Sequence, residues 1–332
     1  MQEITVWDAV TPAIFHEHIR PLCRPAILRQ CVSDWPIISA SDVHHCASLL
    51  TSMATSAPIQ AVRAAPETGG RLHYSADMRS MNFARITPTL PQFLAALIAA
   101  ADMADPPILA AQGIVIPAHL PGFTDRHVMP LLSPAITPRI WIGNAAKVAT
   151  HNDPSENLAV VAAGRRRFTL FPPDQLPNLY MGPFHPTPAG TPVSMVHVTA
   201  PDHARYPRFA TALAAASVAD LLPGDGLYIP YGWYHHVEAF GPFNILVNYW
   251  WNDARTDLGS PWDALMHAMM SLRALPQDQR EAWRAMFETY VFQAHGDAAA
   301  HLPDHARGIL AADTPADIAA MRQSILRNLG QG

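Results

Sequence analysis

Between residues 108 and 251 the chain is a succession of short apolar runs, β-branched or aromatic, cut apart by glycine and proline: 139–142, 158–162, 168–171, 193–198, 226–229 and 244–251. Runs of that length, bounded by turn formers, specify strands. Many short strands in one stretch specify a sandwich or a barrel. Proline supports this reading. The chain has 32 prolines in 332 residues, about twice the usual share near 5%, with no repeat in their spacing. They mark rigid loops, not a polyproline tract. A helical turn around 174–179 and a helix around 208–215 interrupt the series.

The flanks differ. Thr11-Pro12 is an N-cap and first-turn pair that opens a helix to about Arg20, and 26–29 is a short strand. Ser41 is expected to cap a helix to about Ser52, and Pro91 starts another to about Ala101. From Trp262 the chain reads as helical, over 262–273, 276–292, 303–310 and 314–329. Trp283, Met286, Phe287, Tyr290 and Val291 recur at helical spacing, either as internal packing or as a homodimer face. The fold class is α+β: a domain over 1–255 whose strand-rich core spans about 108–251, preceded by α/β elements and followed by a helical bundle over 256–332.

Composition narrows the function classes. Apolar residues make up 49% and charged residues 15%, against roughly 25% charged in an average globular chain, so a large core is available. A net charge of −5 and a pI near 6.4 argue against nucleic acid as the main partner. The cysteines are Cys23, Cys31 and Cys46, odd in number and without a C-x-x-C pair. They read as reduced thiols, not as a disulfide framework or a zinc site. The first residues lack a basic and an apolar segment, and the apolar stretch 93–115 is broken by Asp102, Asp105, Pro106 and Pro107. It falls short of the ~18 uninterrupted apolar residues of a spanning helix. The expectation is a cytoplasmic protein with no membrane segment.

Two motifs carry chemistry. In His151-Asn152-Asp153 the imidazole and the carboxylate share a face of an extended chain, because residues i and i+2 point the same way. They supply two-thirds of a 2-His-1-carboxylate triad, which leaves open positions on Fe(II). Alone, the pair is a weak signal and reads more readily as a strand end before the Asp153-Pro154 turn. The second motif runs from Pro223-Gly224-Asp225 through Ile229-Pro230 to Trp233-Tyr234-His235-His236-Val237. Strand alternation lets only one of His235 and His236 face inward.

The ordered set of strings resembles the JmjC-like cupin family (cupin-8 type), the Fe(II)- and 2-oxoglutarate-dependent oxygenases. The resemblance rests on Trp141-Ile142-Gly143, His151-x-Asp153, Asn157, Gly164-Arg165-Arg166-Arg167-Phe168, Phe171-Pro172-Pro173, Pro223-Gly224-Asp225, Ile229-Pro230, Trp233-x-His235-His236 and Val247-Asn248-Tyr249-Trp250-Trp251. Arg24 to Arg29 and Asp34-Trp35-Pro36 resemble the family's opening, so the likeness covers roughly 12–255. Within the family the chain is most similar to bacterial cupin-like proteins and to the asparaginyl hydroxylase acting on hypoxia-inducible factor. The resemblance implies a double-stranded β-helix (jelly-roll) core. It implies iron ligands at His151, Asp153 and His235, and a cosubstrate pocket lined by Asn157, Asn248 and Trp250. The C-terminal helices resemble the dimerising helices of such enzymes.

One departure bears on the cosubstrate. The family usually places a lysine where this chain has Arg166, to pair with the distal carboxylate of 2-oxoglutarate. A guanidinium can hold a carboxylate bidentately, and Lys147 is the only lysine in the chain, so the change reads as exchange of one anchor for another. Arg166 shares its parity with Phe168 and Leu170. Thr150 is a further cosubstrate candidate, although its position beside His151 should turn it away. The family's tyrosine near 108–112 is replaced by Ala110-Ala111-Gln112.

The implied activity is a hydroxylase using Fe(II), 2-oxoglutarate and O₂ on an aliphatic C–H of a protein side chain or an amino-acid-like substrate. The alternatives are a non-oxygenase metal cupin (isomerase, hydrolase or sensor) with the same triad, and an inactive scaffold. Substrate contacts are expected from 180–192 and 69–85. His44, His45, His73, His185, His197 and His301 read as background.

Overall fold

The computed structural model describes residues 2–40 and 42–329. Within 1–252, a compact unit, the strands are β1 (Thr5–Trp7), β2 (Ala26–Leu28), β3 (Ala61–Ala64), β4 (Arg71–Leu72), β5 (Phe83–Ile86), β6 (Ile108–Val115), β7 (Pro138–Gly143), β8 (Lys147–His151), β9 (Glu156–Phe171), β10 (Ser217–Leu221), β11 (Gly226–Ile229) and β12 (Tyr234–Trp251). The longer helices are α1 (Val43–Met53), α2 (Leu90–Ala101) and α3 (Phe209–Ala215).

β9 and β12 pair antiparallel along most of their length and belong to both halves of the barrel. Asn157 to Val160 of β9 pair with β11, whereas Arg166 to Leu170 pair with β10. On β12, Asn244 to Tyr249 pair with β7, whereas His235 to Glu238 pair with β8. One half-sheet therefore runs β11-β9-β12-β7-β6-β3-β5 and the other β10-β9-β12-β8-β4. This is a jelly-roll core folded about one bent hairpin. The bend falls at Gly164, whose φ of +75° suits glycine. A Cβ there would overlap the Phe243 carbonyl oxygen and the Asn244 side chain.

Both faces of the central strands are buried, so they read as continuous apolar runs and not as alternation. Ala159, Val161, Phe168, Leu170, Leu227, Ile229, Val237 and Leu246 fill the space between the half-sheets. Leu158, Val160, Ile245 and Val247 face outward onto Phe15, Ile19, Trp35, Leu50, Phe93 and Leu97 from the N-terminal segments and from α1 and α2.

Several expectations need correction. The runs 158–162 and 168–171 are one strand, because Arg165 to Arg167 stay extended between them. The run 193–198 is not a strand: only Ser194 bridges, to Met181, and its N–H donates to the Thr150 carbonyl at 2.7 Å. Ser41 lies outside the described residues. The side chain of Asp42 accepts from His45 N at the start of α1. β3, β4 and β5 were not anticipated.

Residues 253–332 form a second unit, with helices α4 (Pro261–Leu272), α5 (Gln277–Tyr290) and α6 (Pro315–Leu329). The helix expected over 303–310 is two short 3₁₀ turns, Asp304–Ala306 and Gly308–Ala311, with Gly308 at φ +51°. Of the stripe at helical spacing, Trp283, Met286, Tyr290 and Val291 are exposed and Phe287 is half-buried. Among the described residues no helix is long and apolar enough to cross a membrane.

Candidate metal centre

β8 delivers His151 through an irregular register. His151 lies opposite His235, and Val148 lies opposite Val237. Three steps along β8 match two along β12, so one residue is inserted, as in a β-bulge. The bulge brings Val148 and His151 to the same cavity wall, which strict alternation forbids. Asp153 follows in the loop before β9.

The ligand atoms of His151, Asp153 and His235 lie within 4.8 Å of one another. His235 Nε2 is 3.7 Å from Asp153 Oδ2, and the two imidazole rings are 4.4 Å apart at their centroids. Each ring is oriented from behind. His151 Nδ1 donates to the Ala149 carbonyl at 2.9 Å and His235 Nδ1 to the Trp233 carbonyl at 3.3 Å. A carbonyl only accepts, so Nδ1 carries the proton in both rings and Nε2 keeps its lone pair, the arrangement a metal-binding histidine needs. Burial, followed by the neighbouring His151, pushes the His235 imidazole down to about 4 against the pull of Asp153. Two imidazoles beside one carboxylate form a donor set for a divalent first-row metal with open positions. Asp153 is steadied in turn. Asn157 Nδ2 donates to Asp153 Oδ2 at 3.4 Å, and Asn248 Nδ2 donates to Asn157 Oδ1 at 2.7 Å. The structure also separates the adjacent histidines. His235 lines the cavity, whereas His236 lies off the wall, 4.0 Å from Glu238.

The cavity has a volume of about 310 Å³. Phe168, Val193, Val237 and Leu246 give it an apolar wall, into which Arg166 projects. Its two neighbours are engaged elsewhere: the Arg165 guanidinium lies 4.2 Å over the Phe240 ring, and Arg167 pairs with Asp220 at 2.7 Å. Arg166 is buried at 8% exposure, its Nε has no hydrogen-bond partner, and burial alone pulls it down to about 10. An uncompensated buried cation costs several kcal/mol, so the site fits an anion.

Asn157, Asn248 and Trp250 line the same cavity, and Asn248 Oδ1 and Trp250 Nε1 are buried without partners. Thr150 is not on the wall. It sits in the bulge, fully buried, with its hydroxyl unpartnered. Of the two segments expected to touch substrate, one contributes Thr187, Pro188, Ala189 and Gly190, and the other Leu72 and Arg85. Gln112 also lines the cavity. In the sequence it stands out only as part of a missing tyrosine, whereas Arg85 closes the 69–85 segment expected to touch substrate, without a motif of its own.

Residues 12–257 match the family model described as a cupin-like domain. Among curated proteins, the chain is similar to lysine-specific demethylase JMJ31 of Arabidopsis thaliana, 35% identical over 112 residues, which is 33% of this chain and 20% of that protein. It is similar to HSPB1-associated protein 1 of Homo sapiens, 35% identical over 113 residues, 33% of this chain and 22% of that protein. It is also similar to the bifunctional peptidase and (3S)-lysyl hydroxylase JMJD7 of Homo sapiens, 31% identical over 153 residues, 41% of this chain and 47% of that protein. The chain thus spans a fifth to a half of the length of these relatives.

Proposed function

The chain belongs to the cupin-like domain family, and from that membership we propose that it is an Fe(II)- and 2-oxoglutarate-dependent oxygenase that hydroxylates an aliphatic C–H. The observation that carries the reading is Arg166, a buried guanidinium without an acid among the described residues, in the same cavity as the His151, Asp153 and His235 cluster. His151, Asp153 and His235 would hold the metal, and Arg166 would take the distal carboxylate of the cosubstrate through its planar fork. Bound there, Fe(II) with 2-oxoglutarate and O₂ supplies oxidative decarboxylation to succinate coupled to insertion of one oxygen atom into a C–H bond. The chain's own part is positional. The backbone carbonyls of Ala149 and Trp233 fix the tautomer and orientation of both imidazoles, with Nε2 toward the metal site. Asn157 and Asn248 orient Asp153. Phe168, Val193, Val237 and Leu246 exclude water from the reacting volume.

A non-oxygenase metal cupin needs the triad but has no use for a buried, unpartnered cation facing it. The free thiols Cys23, Cys31 and Cys46 accord with a reducing compartment, and the cytoplasm is part of the proposal.

The test is uncoupled turnover. Protein reconstituted anaerobically with Fe(II), then given 2-oxoglutarate, ascorbate and air, is expected to release succinate, and Asp153→Ala is expected to release none. No succinate from wild-type protein that binds Fe(II) would overturn the oxygenase reading in favour of the non-oxygenase one.

A further inference from the structure

Apart from Arg166 and the three triad residues, the cavity wall holds one ionisable side chain, Arg85. It lies on β5, outside every motif. Arg85 pairs across the ladder with Val62 of β3, and Val62 pairs with Ala110 of β6. Directly paired residues share a face of the sheet, as do residues two apart on one strand. Arg85 and Ala110 therefore stand on one face, Gln112 follows Ala110 at the register shift of β6 between Ala111 and Ile114, and Arg85, Leu72 and Gln112 all line the cavity. Among the described residues the Arg85 guanidinium has no hydrogen bond or ion pair, and the Gln112 amide has no side-chain partner. The only carboxylate on the wall is Asp153, committed to the triad. Trp141, whose ring lies against Gly113 beside Gln112, and Trp250 each have an indole N–H without an acceptor. The lining between these groups is mostly aliphatic.

Such a wall offers donors and positive charge in excess of what one cosubstrate can occupy. Arg166 is deep and dry. Arg85 is exposed to solvent while lining the same cavity. Resting on the oxygenase reading, we propose that the prime substrate is an aliphatic carboxylate, with Arg85 holding its carboxylate, Gln112 donating beside it, and the hydrocarbon segment lying across the apolar wall toward the triad. Arg85 is thus a specificity-determining residue. An exposed guanidinium pairing with a carboxylate discriminates modestly, by roughly two- to fivefold in affinity.

The test needs no turnover. Full-length protein loaded with Mn(II) and 2-oxoglutarate without O₂ is titrated with hexanoate and with its neutral isostere hexanamide, followed through the fluorescence of the cavity tryptophans. A parallel arm uses a glutamate-bearing peptide and its glutamine counterpart. Wild type is expected to bind the acid roughly two- to fivefold more tightly than the amide in one of the two arms, and the responding arm tells whether the acid is a free small molecule or a peptide side chain. In Arg85→Gln the ratio is expected to collapse toward one, with partial recovery in Arg85→Lys. Equal binding of acid and amide in both arms, no binding of either acid, or a ratio that survives Arg85→Gln overturns the proposal. Failure of the oxygenase reading would be seen separately, as absence of succinate from wild-type protein with no probe added.

Discussion

Asn248 donates its side-chain N–H to Asn157 Oδ1 at 2.7 Å, across the paired strands β12 and β9. Asn157 passes the restraint on to Asp153, so the carboxylate of the triad is held from two strands away. Groups that orient a metal ligand from behind typically change affinity 10–100-fold when removed. Asn157→Ala is expected to weaken Mn(II) binding by about that factor, and Asn248→Ala by less, because it acts through Asn157. Mn(II) titration by electron paramagnetic resonance checks both. Unchanged affinity in Asn157→Ala would show that the amide is only a cavity filler.

Arg166 is expected to act oppositely on stability and on binding. In ligand-free protein Arg166→Met removes a buried, uncompensated charge, a change that can stabilise by about 1–4 kcal/mol, so its melting temperature rises. Its affinity for 2-oxoglutarate falls, by about 2–5 kcal/mol when one partner of a buried charge pair is lost. Calorimetric titration of Mn(II)-loaded protein measures the second effect. Arg167 provides the contrast: its pair with Asp220 is 41% and 46% exposed, where ion pairs contribute about 0–1 kcal/mol, and Arg167→Ala leaves both readouts nearly unchanged.

Gly164 marks the bend at which β9 passes from one half-sheet to the other. With φ at +75° and the Phe243 carbonyl against any added Cβ, Gly164→Ala combines backbone strain with overlap, each of about 1–3 kcal/mol. A fall of this size in the urea midpoint is expected. A variant with wild-type stability would mean the hairpin can shift its register there.

Acid lability follows from buried histidines. Burial, and then the neighbouring Arg71, push the His73 imidazole down to about 4 while its Nε2 donates to the Ser194 carbonyl at 3.1 Å. The unfolded chain binds a proton near pH 6.5 that the folded chain refuses until about pH 4. The stability due to the neutral ring is complete above about pH 6.5 and is lost as the pH falls toward 4, by on the order of 3 kcal/mol for this group. Urea unfolding at pH 7 and pH 5 should show the drop. His73→Gln, which keeps a donor but cannot titrate, should make it smaller by about one proton's worth of slope.

Much of this molecule could be read from one dimension. Short Gly- and Pro-bounded runs pointed to a sandwich or a barrel, because strand period and turn chemistry are local, and the family resemblance carried by H-x-D and W-x-H-H added the jelly-roll and the residues expected to converge. Arg166 could be chosen among three arginines by parity with Phe168, since β9 stays regular there. Thr150 lies off the wall, as its position beside His151 required, but Val148 could not be placed there, because an inserted residue in β8 resets the parity between it and His151, and only the partner strand reveals the insertion. Arg85 and Gln112 could not be joined at all. They meet because β5, β3 and β6 stack side by side through pairings between residues distant in sequence, and no local propensity encodes which short strand will lie beside which. The chain itself determined the fold class and the identity of the converging groups. Tertiary pairing alone decided which side chains share the cavity wall, since facing is set by register and register is a property of two strands.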